Sequence, residues 1–389
     1  MIISLRFKNF FSLADDVVLD FTADISAKNP ESSLAGNLIE FKKDRFINII
    51  GIFGSNAAGK SNIIKAMDFC RKLVLGSHLY NEGQKFDFEQ FKFADLQPSE
   101  FYINFIIDEI EYEYSFTLSK EKILSESLYY YPKQRRAKVF VRVDSHSYSY
   151  GKGLITRPSD IETATSDNTL FLSRASSMNR PIMKTVYRFF AEHIWVSMGN
   201  LALTPIMYEE IYANKDLLLK AFEISDSDII DLKVYEPIPG QWQILSYHRE
   251  NPAIAFDFDT EESEGTKRLL HILLLFIRSA KRGTAFFLDE FDLKMHLHLA
   301  EFLLDAVRAS HKSQLVFTSH NQALINGKKL RPEQIVFVTK DIKGRSEFTP
   351  LSDYVGIDRK IDLEKSYLHG IFDGVPYIGD IYSVLEEML

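Results

Sequence analysis

The sequence predicts an α/β protein in which a mostly parallel, helix-covered sheet is joined by a lobe of antiparallel strands. Two observations carry this prediction. In the last third of the chain, short apolar strands alternate with helical stretches, which is the pattern of a parallel sheet covered by helices. Between residues 86 and 150, aromatic and β-branched residues alternate with polar ones at period two, which is typical of antiparallel strands.

Size and composition set the limits within which this fold must be built. The chain has 389 residues, of which 46% are hydrophobic, so it can bury large cores and is not disordered throughout. The single cysteine, Cys70, excludes an internal disulfide and a cysteine-rich zinc site, and it fits a reducing compartment. A net charge of −8 argues against non-specific coating of nucleic acid. Without a signal peptide or an apolar stretch long enough to span a bilayer, we expect a cytoplasmic protein with no membrane partner.

The elements follow in a simple order. A strand pair is predicted near the start, then a buried strand over 47–53 and a helix over 61–75. Residues 168–225 lack alternation and predict mainly helices. From residue 266 the pattern predicts, in order, a helix, a strand over 285–288, a helix over 296–310, a strand over 314–317, a further helix and a strand over 334–338. No sustained heptad pattern predicts a long coiled-coil arm.

The strongest chemical signal lies between the buried strand and the first long helix. Residues 54–61 read Gly-Ser-Asn-Ala-Ala-Gly-Lys-Ser, which satisfies the phosphate-loop pattern in the strand-to-helix context that it requires. The glycines let backbone N–H groups surround phosphate oxygens, and the helix N-terminus adds positive potential. Lys60 can reach the β- and γ-phosphates, and Ser61 can ligate Mg²⁺. The predicted nucleotide-binding residues are Gly54, Ser55, Asn56, Ala57, Ala58, Gly59, Lys60, Ser61 and Asn62.

An acidic pair ends the strand over 285–288. Asp289 at the strand end is predicted to hold Mg²⁺ through water, and Glu290 is predicted to polarise the attacking water. An acidic pair on the surface after a strand is the competing interpretation, and the phosphate loop elsewhere in the chain favours the functional one.

Two further segments complete an ordered set of motifs. The segment Ser263, Glu264, Gly265 and Thr266 opens a helix and offers a second small anion-binding site. His320 lies at the end of the strand over 314–317 and could hydrogen-bond to the γ-phosphate or to the attacking water.

This order of motifs resembles the ABC ATPase superfamily, in its branch of SMC, RecF and Rad-type proteins. Within that branch the chain is most similar to the bacterial AAA-labelled ATPases of phage defence, of the RloA, AbiL and PARIS AriA kind. The segments that carry this closer resemblance are 3–10 with Asn9, 262–269, 289–296, 317–321 and 364–378. The signature reads Ser-Glu-Gly-Thr where transporters have Leu-Ser-Gly-Gly, which weakens any analogy with transporters.

The resemblance implies an ABC-type head with an inserted α+β and helical segment. The head would comprise residues 1–75 and 241–389. The inserted lobe would cover 76–240, with antiparallel strands over about 86–150 followed by helices over 165–225. The resemblance also implies ATP and Mg²⁺ as cofactors and a head-to-tail dimer, or a larger homo-oligomer. Each ATP would lie between the phosphate loop of one copy and the signature segment of the other. Residues 292–296, including Asp292 and His296, would form the D-loop, and Gln90, Gln97 and Gln241 are equal candidates for the Q-loop glutamine.

Three functions are weighed. The first is an ATP-driven switch in antiviral defence, which would respond to a phage-encoded trigger and control a separate, nuclease-like effector chain. Only 69 residues follow His320, too few for the metal-binding nuclease domain of the related OLD-type nucleases. The second is a DNA-repair or chromosome-associated ATPase that clamps DNA directly, for which the only sequence support is the cationic and aromatic cluster over 129–138. That cluster equally fits a strand edge with a solvated turn, and direct binding of DNA or RNA stays open. The third, a transporter ATPase, has no supporting feature.

Overall fold

The computed structural model of the chain describes residues 1–25, 34–93, 97–198, 203, 205–225, 227–280, 283–355 and 361–372. The strands are β1 Ile2–Lys8, β2 Val17–Asp20, β3 Leu38–Phe41, β4 Asp44–Ile47, β5 Ile49–Gly54, β6 Ser99–Ile107, β7 Ile110–Leu118, β8 Ile123–Tyr130, β9 Ala137–Val143, β10 Ser147–Tyr150, β11 Ile194–Ser197, β12 Ile229–Ile238, β13 Gln241–His248, β14 Ala255–Asp257, β15 Ala285–Leu288, β16 Gln314–Ser319, β17 Ile335–Lys340 and β18 Ser346–Pro350. The helices are α1 Lys60–Gly76, α2 Ser159–Ala164, α3 Phe171–Ser177, α4 Pro181–Glu192, α5 Pro205–Ala213, α6 Lys215–Ile224, α7 Phe258–Glu261, α8 Glu264–Ala280, α9 Leu297–Ser310 and α10 Leu363–Leu368.

A six-stranded sheet forms the centre of the molecule, in the order β11-β15-β16-β5-β17-β18. The first five strands run parallel, and β18 is antiparallel to β17. Both faces are buried, because alternate residues of a strand point into two different hydrophobic cores. In β5, Ile50 and Ile52 pack in one core, while Ile49 and Phe53 pack in the other.

A second sheet is antiparallel and has seven strands in the order β10-β9-β8-β7-β6-β1-β2. It shares the first of the two cores with α1 and with the helices that follow β10. Smaller antiparallel sheets are formed by β12-β13-β14 and by β3-β4. The predicted α/β class, with a mostly parallel helix-covered sheet and an antiparallel β lobe, is therefore confirmed.

The arrangement of strands adds detail that the predicted domain boundaries do not contain. Strands β1 and β2, from the first predicted head segment, pair in one sheet with β6–β10 from the predicted insert. Strand β11, within the stretch expected to be mainly helical, joins the parallel sheet beside β15. The division of the chain into a head and an inserted lobe stays a prediction.

Two local expectations are corrected by the structure. The strand expected over 47–53 is interrupted at Asn48, whose buried side chain donates to the Gly36 carbonyl at 3.0 Å. The helix expected between β16 and β17 is replaced by two 3₁₀ turns, at Gln322–Leu324 and Pro332–Gln334. The Asn326-Gly327 turn and Pro332 follow the first of them within a few residues, and this leaves no room for a longer helix.

Candidate functional site

The carboxyl ends of the parallel strands bring the predicted motifs to one edge of the sheet. The phosphate loop follows β5, the acidic pair follows β15 and His320 follows β16. Because neighbouring parallel strands end side by side, residues far apart in sequence meet there. Beside this edge lies a cleft of about 700 Å³. The predicted site residues that line it are Asn56, Ala57, Gly59, Lys60, Ser61, Asn62, Glu290 and His320.

Neighbouring atoms lie so close to the two glycines of the loop that no side chain fits at either position. A side chain at Gly54 would overlap the Val338 carbonyl oxygen of β17. Gly59 has a φ of 106°, and a side chain there would overlap the Ser346 hydroxyl. Only glycine fits either position, so the loop pattern read in the sequence corresponds to a backbone requirement in the fold.

Lys60 is one of the lysines that line the cleft. Its ammonium group donates to the Gly54 and Ser55 carbonyl oxygens at 2.9 Å each, and it lies 3.4 Å from His320 Nδ1. Burial lowers the pKa of Lys60 to about 8, although Asp289 and Glu290 act in the opposite direction. The site therefore holds a desolvated cation that a phosphate could pair with.

His320 shares this environment. Burial lowers the pKa of His320, and the nearby Lys60 cation lowers it further. The imidazole is therefore neutral at neutral pH and can accept or donate one hydrogen bond.

The acidic pair is held by the neighbouring strand. Thr318 Oγ1 donates to Asp289 Oδ1 at 2.6 Å and accepts from the Glu290 N–H at 2.8 Å. Asp289 is buried, whereas Glu290 is exposed and faces the cleft. The two carboxylates thus have different surroundings, and their different roles stay a prediction. The Ser61 hydroxyl and the Asp289 carboxylate are oxygen donors of the kind that Mg²⁺ prefers.

The signature segment is placed elsewhere on the surface. Ser263 and Glu264 are exposed, and Ser263 caps α8 by accepting from the Thr266 N–H at 3.1 Å. None of the four signature residues lines the cleft. Asp292 and His296 also lie outside its lining, and the His296 side chain caps the start of α9.

Much of the wall of the cleft was not predicted from the sequence, apart from the Q-loop candidate Gln90. Residues 89–93, Lys340 and Gly344 line the cleft there, with Phe11 beside them. Asn9 anchors this wall, because its side chain accepts from the Phe91 N–H at 3.0 Å and donates to the Gln97 carbonyl at 2.5 Å. In the sequence, Asn9 belongs to the segment that resembles the defence ATPases, and that resemblance assigns no role to this residue.

A hydroxyl network beneath the loop was also missed. Ser346 donates to the Ala58 carbonyl at 2.5 Å, and its hydroxyl lies 2.6 Å from that of Ser12. Ser12 in turn accepts from the Asn62 amide at 2.7 Å. The loop is thereby tied to the β1–β2 connection and to β18.

Two of the Q-loop candidates, Gln90 and Gln97, are neighbours, and the third, Gln241, lies on a strand of another sheet. Gln90 lines the cleft and donates to the Gln97 carbonyl at 2.8 Å, whereas Gln241 begins β13.

The segment 364–378 is described only as far as residue 372. None of the described helices has both the length and the apolar character that a membrane span needs.

A phosphate loop after a central parallel strand, with acidic and histidine side chains at adjacent strand ends, defines a P-loop ATPase. Residues 49–326 match the family described as "AAA domain, putative AbiEii toxin, Type IV TA system", and the chain belongs to that family. It is thus an ATPase of the AAA type. Among curated proteins, none has significant sequence similarity to the chain.

Solved structures with a similar fold include three SMC heads. An SMC head bound to the C-terminal winged-helix domain of ScpA is 16% identical with a TM-score of 0.44, and the match covers 90% of this chain and 96% of that one. The SMC head of Thermotoga maritima is 15% identical with a TM-score of 0.40, covering 90% and 98%. The Pyrococcus furiosus head, with an extended coiled coil and bound to the C-terminal domain of ScpA, is 14% identical with a TM-score of 0.42, covering 95% and 99%.

Proposed function

We propose that the chain binds ATP with Mg²⁺ in the cleft, hydrolyses it, and works as an ABC-type switch. The observation that carries this proposal is the convergence of Lys60, Glu290 and His320 on one cleft from the ends of three neighbouring strands. These are the groups that phosphoryl transfer to water requires: a cation for the phosphates, a carboxylate for the water and a hydrogen-bonding partner beside them.

The proposed roles follow from the surroundings of each side chain. Lys60 would exchange its contacts with the loop carbonyls for the β- and γ-phosphates, while backbone N–H groups of the loop bind the remaining oxygens. Glu290, exposed at the cleft, would accept the proton of the attacking water, and neutral His320 would hydrogen-bond to the γ-phosphate. Ser61 and Asp289 would hold Mg²⁺, which neutralises phosphate charge when it is bound.

A second copy of the chain would complete the site. The signature segment 263–266 lies outside the cleft of its own chain, and Ser263 and Glu264 are exposed. A head-to-tail dimer, or a larger homo-oligomer, would set this segment of one copy against the nucleotide of the other. Asp292 and His296, between the acidic pair and α9, would cross the same interface.

The biological role that we propose is regulation of anti-phage defence through a separate, nuclease-like effector. The support is the family description, which names a toxin of a type IV toxin–antitoxin system, together with the motifs quoted for the defence ATPases. A phage-encoded component would be the trigger, and the proposed compartment is the cytoplasm.

Direct DNA binding is the competing function. Its main support, the cationic cluster over 129–138, is partly engaged within the β lobe. Arg136 pairs with Glu113 at 2.6 Å and lies over the Tyr129 ring at 3.6 Å, while Lys138 contacts Ser149 at 3.0 Å. These contacts leave fewer free cations for a phosphate backbone.

Two measurements test the proposal. Phosphate release by the purified chain with ATP and Mg²⁺ tests the enzyme, with the Lys60→Ala variant as the blank. Capture of the native complex followed by mass identification tests the role, and recovery of a nuclease-like chain is the expected result. Tight, ATP-dependent binding of duplex DNA by the lone protein in an electrophoretic shift would overturn the ranking of the two functions.

A further inference from the structure

Glu290 has an unusual backbone conformation for the side chain that it carries. Its φ is 47°, in the left-handed region that residues other than glycine, asparagine and aspartate seldom adopt. Such a conformation persists only where the surrounding structure enforces it. The direction of the Glu290 carboxylate therefore depends on contacts made by other residues.

Two side chains fix the peptide groups on either side of Glu290. Thr318 accepts from the Glu290 N–H at 2.8 Å. From the opposite side, Arg268 Nη2 donates to the Glu290 carbonyl oxygen at 2.5 Å and to that of Asp289 at 3.2 Å, and its Nε donates to the Phe291 carbonyl at 3.2 Å. One guanidinium thus holds three consecutive carbonyl groups around the acid.

Arg268 is suited to this task by its rigidity and its burial. Only 8% of the residue is exposed, so its N–H donors are satisfied by those carbonyl groups rather than by water, and the nearby acids Asp292, Glu290 and Asp289 offset its charge. The planar guanidinium offers several N–H donors in a fixed arrangement, which an ammonium group cannot reproduce. Loss of the side chain would leave the left-handed peptide to Thr318 and to the backbone hydrogen bond from the Leu293 N–H to the Glu290 carbonyl, at 3.0 Å.

Arg268 also joins the acid to the signature segment. It lies on α8 two residues after Thr266, and a Cβ on Gly265 would approach the Lys294 carbonyl oxygen to 2.9 Å. Glu264 adds an ion pair with Lys294 at 3.6 Å. The start of α8 and the loop after β15 are therefore in direct contact.

We propose that Arg268 is a positioning residue for ATP hydrolysis, which holds Glu290 in its left-handed conformation and links it to the signature segment of the same chain. The proposal rests on the proposed function, because it assigns Arg268 an effect on hydrolysis through Glu290. A merely structural arginine would change the stability of the fold but not the turnover of the folded protein.

The test compares two substitutions in the full-length chain. Arg268→Met keeps the length and removes all donors, whereas Arg268→Lys keeps the charge and one donor group. We expect kcat for ATP to fall by about 50-fold in the methionine variant and by about tenfold in the lysine variant, with ATP affinity within about twofold of wild type. Affinity is retained because Lys60 and its loop are not touched. Arg308→Met on α9 is the matched control: Arg308 forms an ion pair with Asp305 at 2.8 Å, and the variant should hydrolyse ATP at the wild-type rate.

A double variant tests whether Arg268 affects hydrolysis through Glu290 or through another part of the site. If Arg268 acts only by placing Glu290, then Arg268→Met combined with Glu290→Gln hydrolyses ATP within about twofold of Glu290→Gln alone. If the fall in kcat of the double variant equals the product of the falls in the two single variants, the proposal is overturned. Wild-type turnover in a folded Arg268→Met chain would also overturn it. If the methionine variant does not fold, Arg268→Lys decides: a loss of kcat with retained affinity supports the proposal, and unchanged kcat overturns it.

If the proposed function itself is wrong, the measurements give a different result. A wild-type chain that does not hydrolyse ATP, or a Glu290→Gln chain that hydrolyses it normally, removes the assigned chemistry, and the role of Arg268 is overturned with it. A slow Glu290→Gln chain beside a fast Arg268→Met chain overturns the role of Arg268 alone.

Discussion

Two helix N-termini in this molecule could each bind an anion, and they are built in opposite ways. At the start of α1 no side chain caps the helix, and its first residue, Lys60, lies buried beside the loop in a cleft. At the start of α8 Ser263 already accepts from the Thr266 N–H, and the turn is exposed outside the cleft. The first terminus therefore faces a cleft of its own chain, whereas the second is exposed and would need another molecule opposite it to form a site.

The largest expected effect concerns the first of these termini. Lys60→Ala removes the buried cation, and we expect ATP affinity to fall by at least about 100-fold because charge-assisted contacts to phosphate are lost. Titration with a fluorescent ATP analogue measures it. Lys72→Ala, on the same helix but paired with Asp68 on the surface, is the control. Affinity within twofold of wild type in Lys60→Ala would show that α1 is not the phosphate site.

Glu290→Gln should change the chemistry while leaving the first terminus intact. The amide keeps the size of the side chain but loses its basicity, so hydrolysis should fall by about 100-fold while ATP still binds. With ATP and Mg²⁺, size-exclusion chromatography should then show a stable larger species, because separation of the heads is slowed. Asp305→Asn on α9 is the control for a lost acid. Wild-type turnover in Glu290→Gln would make the acidic pair structural.

Asp289→Ala tests the predicted metal ligand. The substitution removes the carboxylate predicted to hold Mg²⁺, so we expect Mg²⁺-dependent turnover to fall by about tenfold or more. Steady-state hydrolysis over a range of Mg²⁺ concentrations measures this. An unchanged rate and Mg²⁺ dependence would rule out a role of Asp289 in metal binding.

The start of α8 should affect only the contact between two copies of the chain. Ser263→Arg places a long cation on the exposed turn, so we expect ATP binding to persist in each chain while head engagement and hydrolysis fall by about tenfold. Ser177→Arg, at another exposed helix end, is the control. A mixture of Lys60→Ala and Ser263→Arg chains should recover part of the activity, since one composite site is then intact. If no activity returns, the head-to-tail arrangement is wrong.

The smallest expected effect is a dependence of ATP affinity on pH. The pKa of Lys60 is lowered to about 8 in the free protein, and bound phosphates would hold the proton on its ammonium group. ATP affinity should therefore be constant at lower pH and weaken as the pH rises through 8, by about fourfold between pH 7 and pH 8.5. Calorimetric titration across this range measures it. A flat profile to pH 9 would mean that the lysine does not lose its proton there.

The sequence predicted the residues of the cleft better than the contacts that orient them. The phosphate loop, Asp289, Glu290 and His320 carry local patterns, and strand order alone brings their elements to one edge. The left-handed backbone of Glu290 has no local sequence pattern. Neither have the three carbonyl contacts of Arg268, because they join residues more than twenty positions apart. Arg268 reads in the sequence as an ordinary residue of a helix.

The wall of the cleft illustrates the same limit. Asn9 holds residues 91 and 97 through its side-chain amide, across a separation of more than eighty residues. Period-two alternation predicted strands on both sides of that contact but not their pairing. The pairing of β1 with β6, which brings Asn9 to this wall, depends on the packing of both strands into one core.

The order in which the strands occur along the chain has a consequence for biosynthesis. Strand β5, which leads into the phosphate loop, is flanked by β16 and β17, and Gln314 of β16 both donates to and accepts from the backbone of Ile2. A nascent chain that has emerged only as far as α8 therefore lacks both neighbours of its central strand, together with His320 and Lys340. The cleft can therefore form only after β17 has been translated.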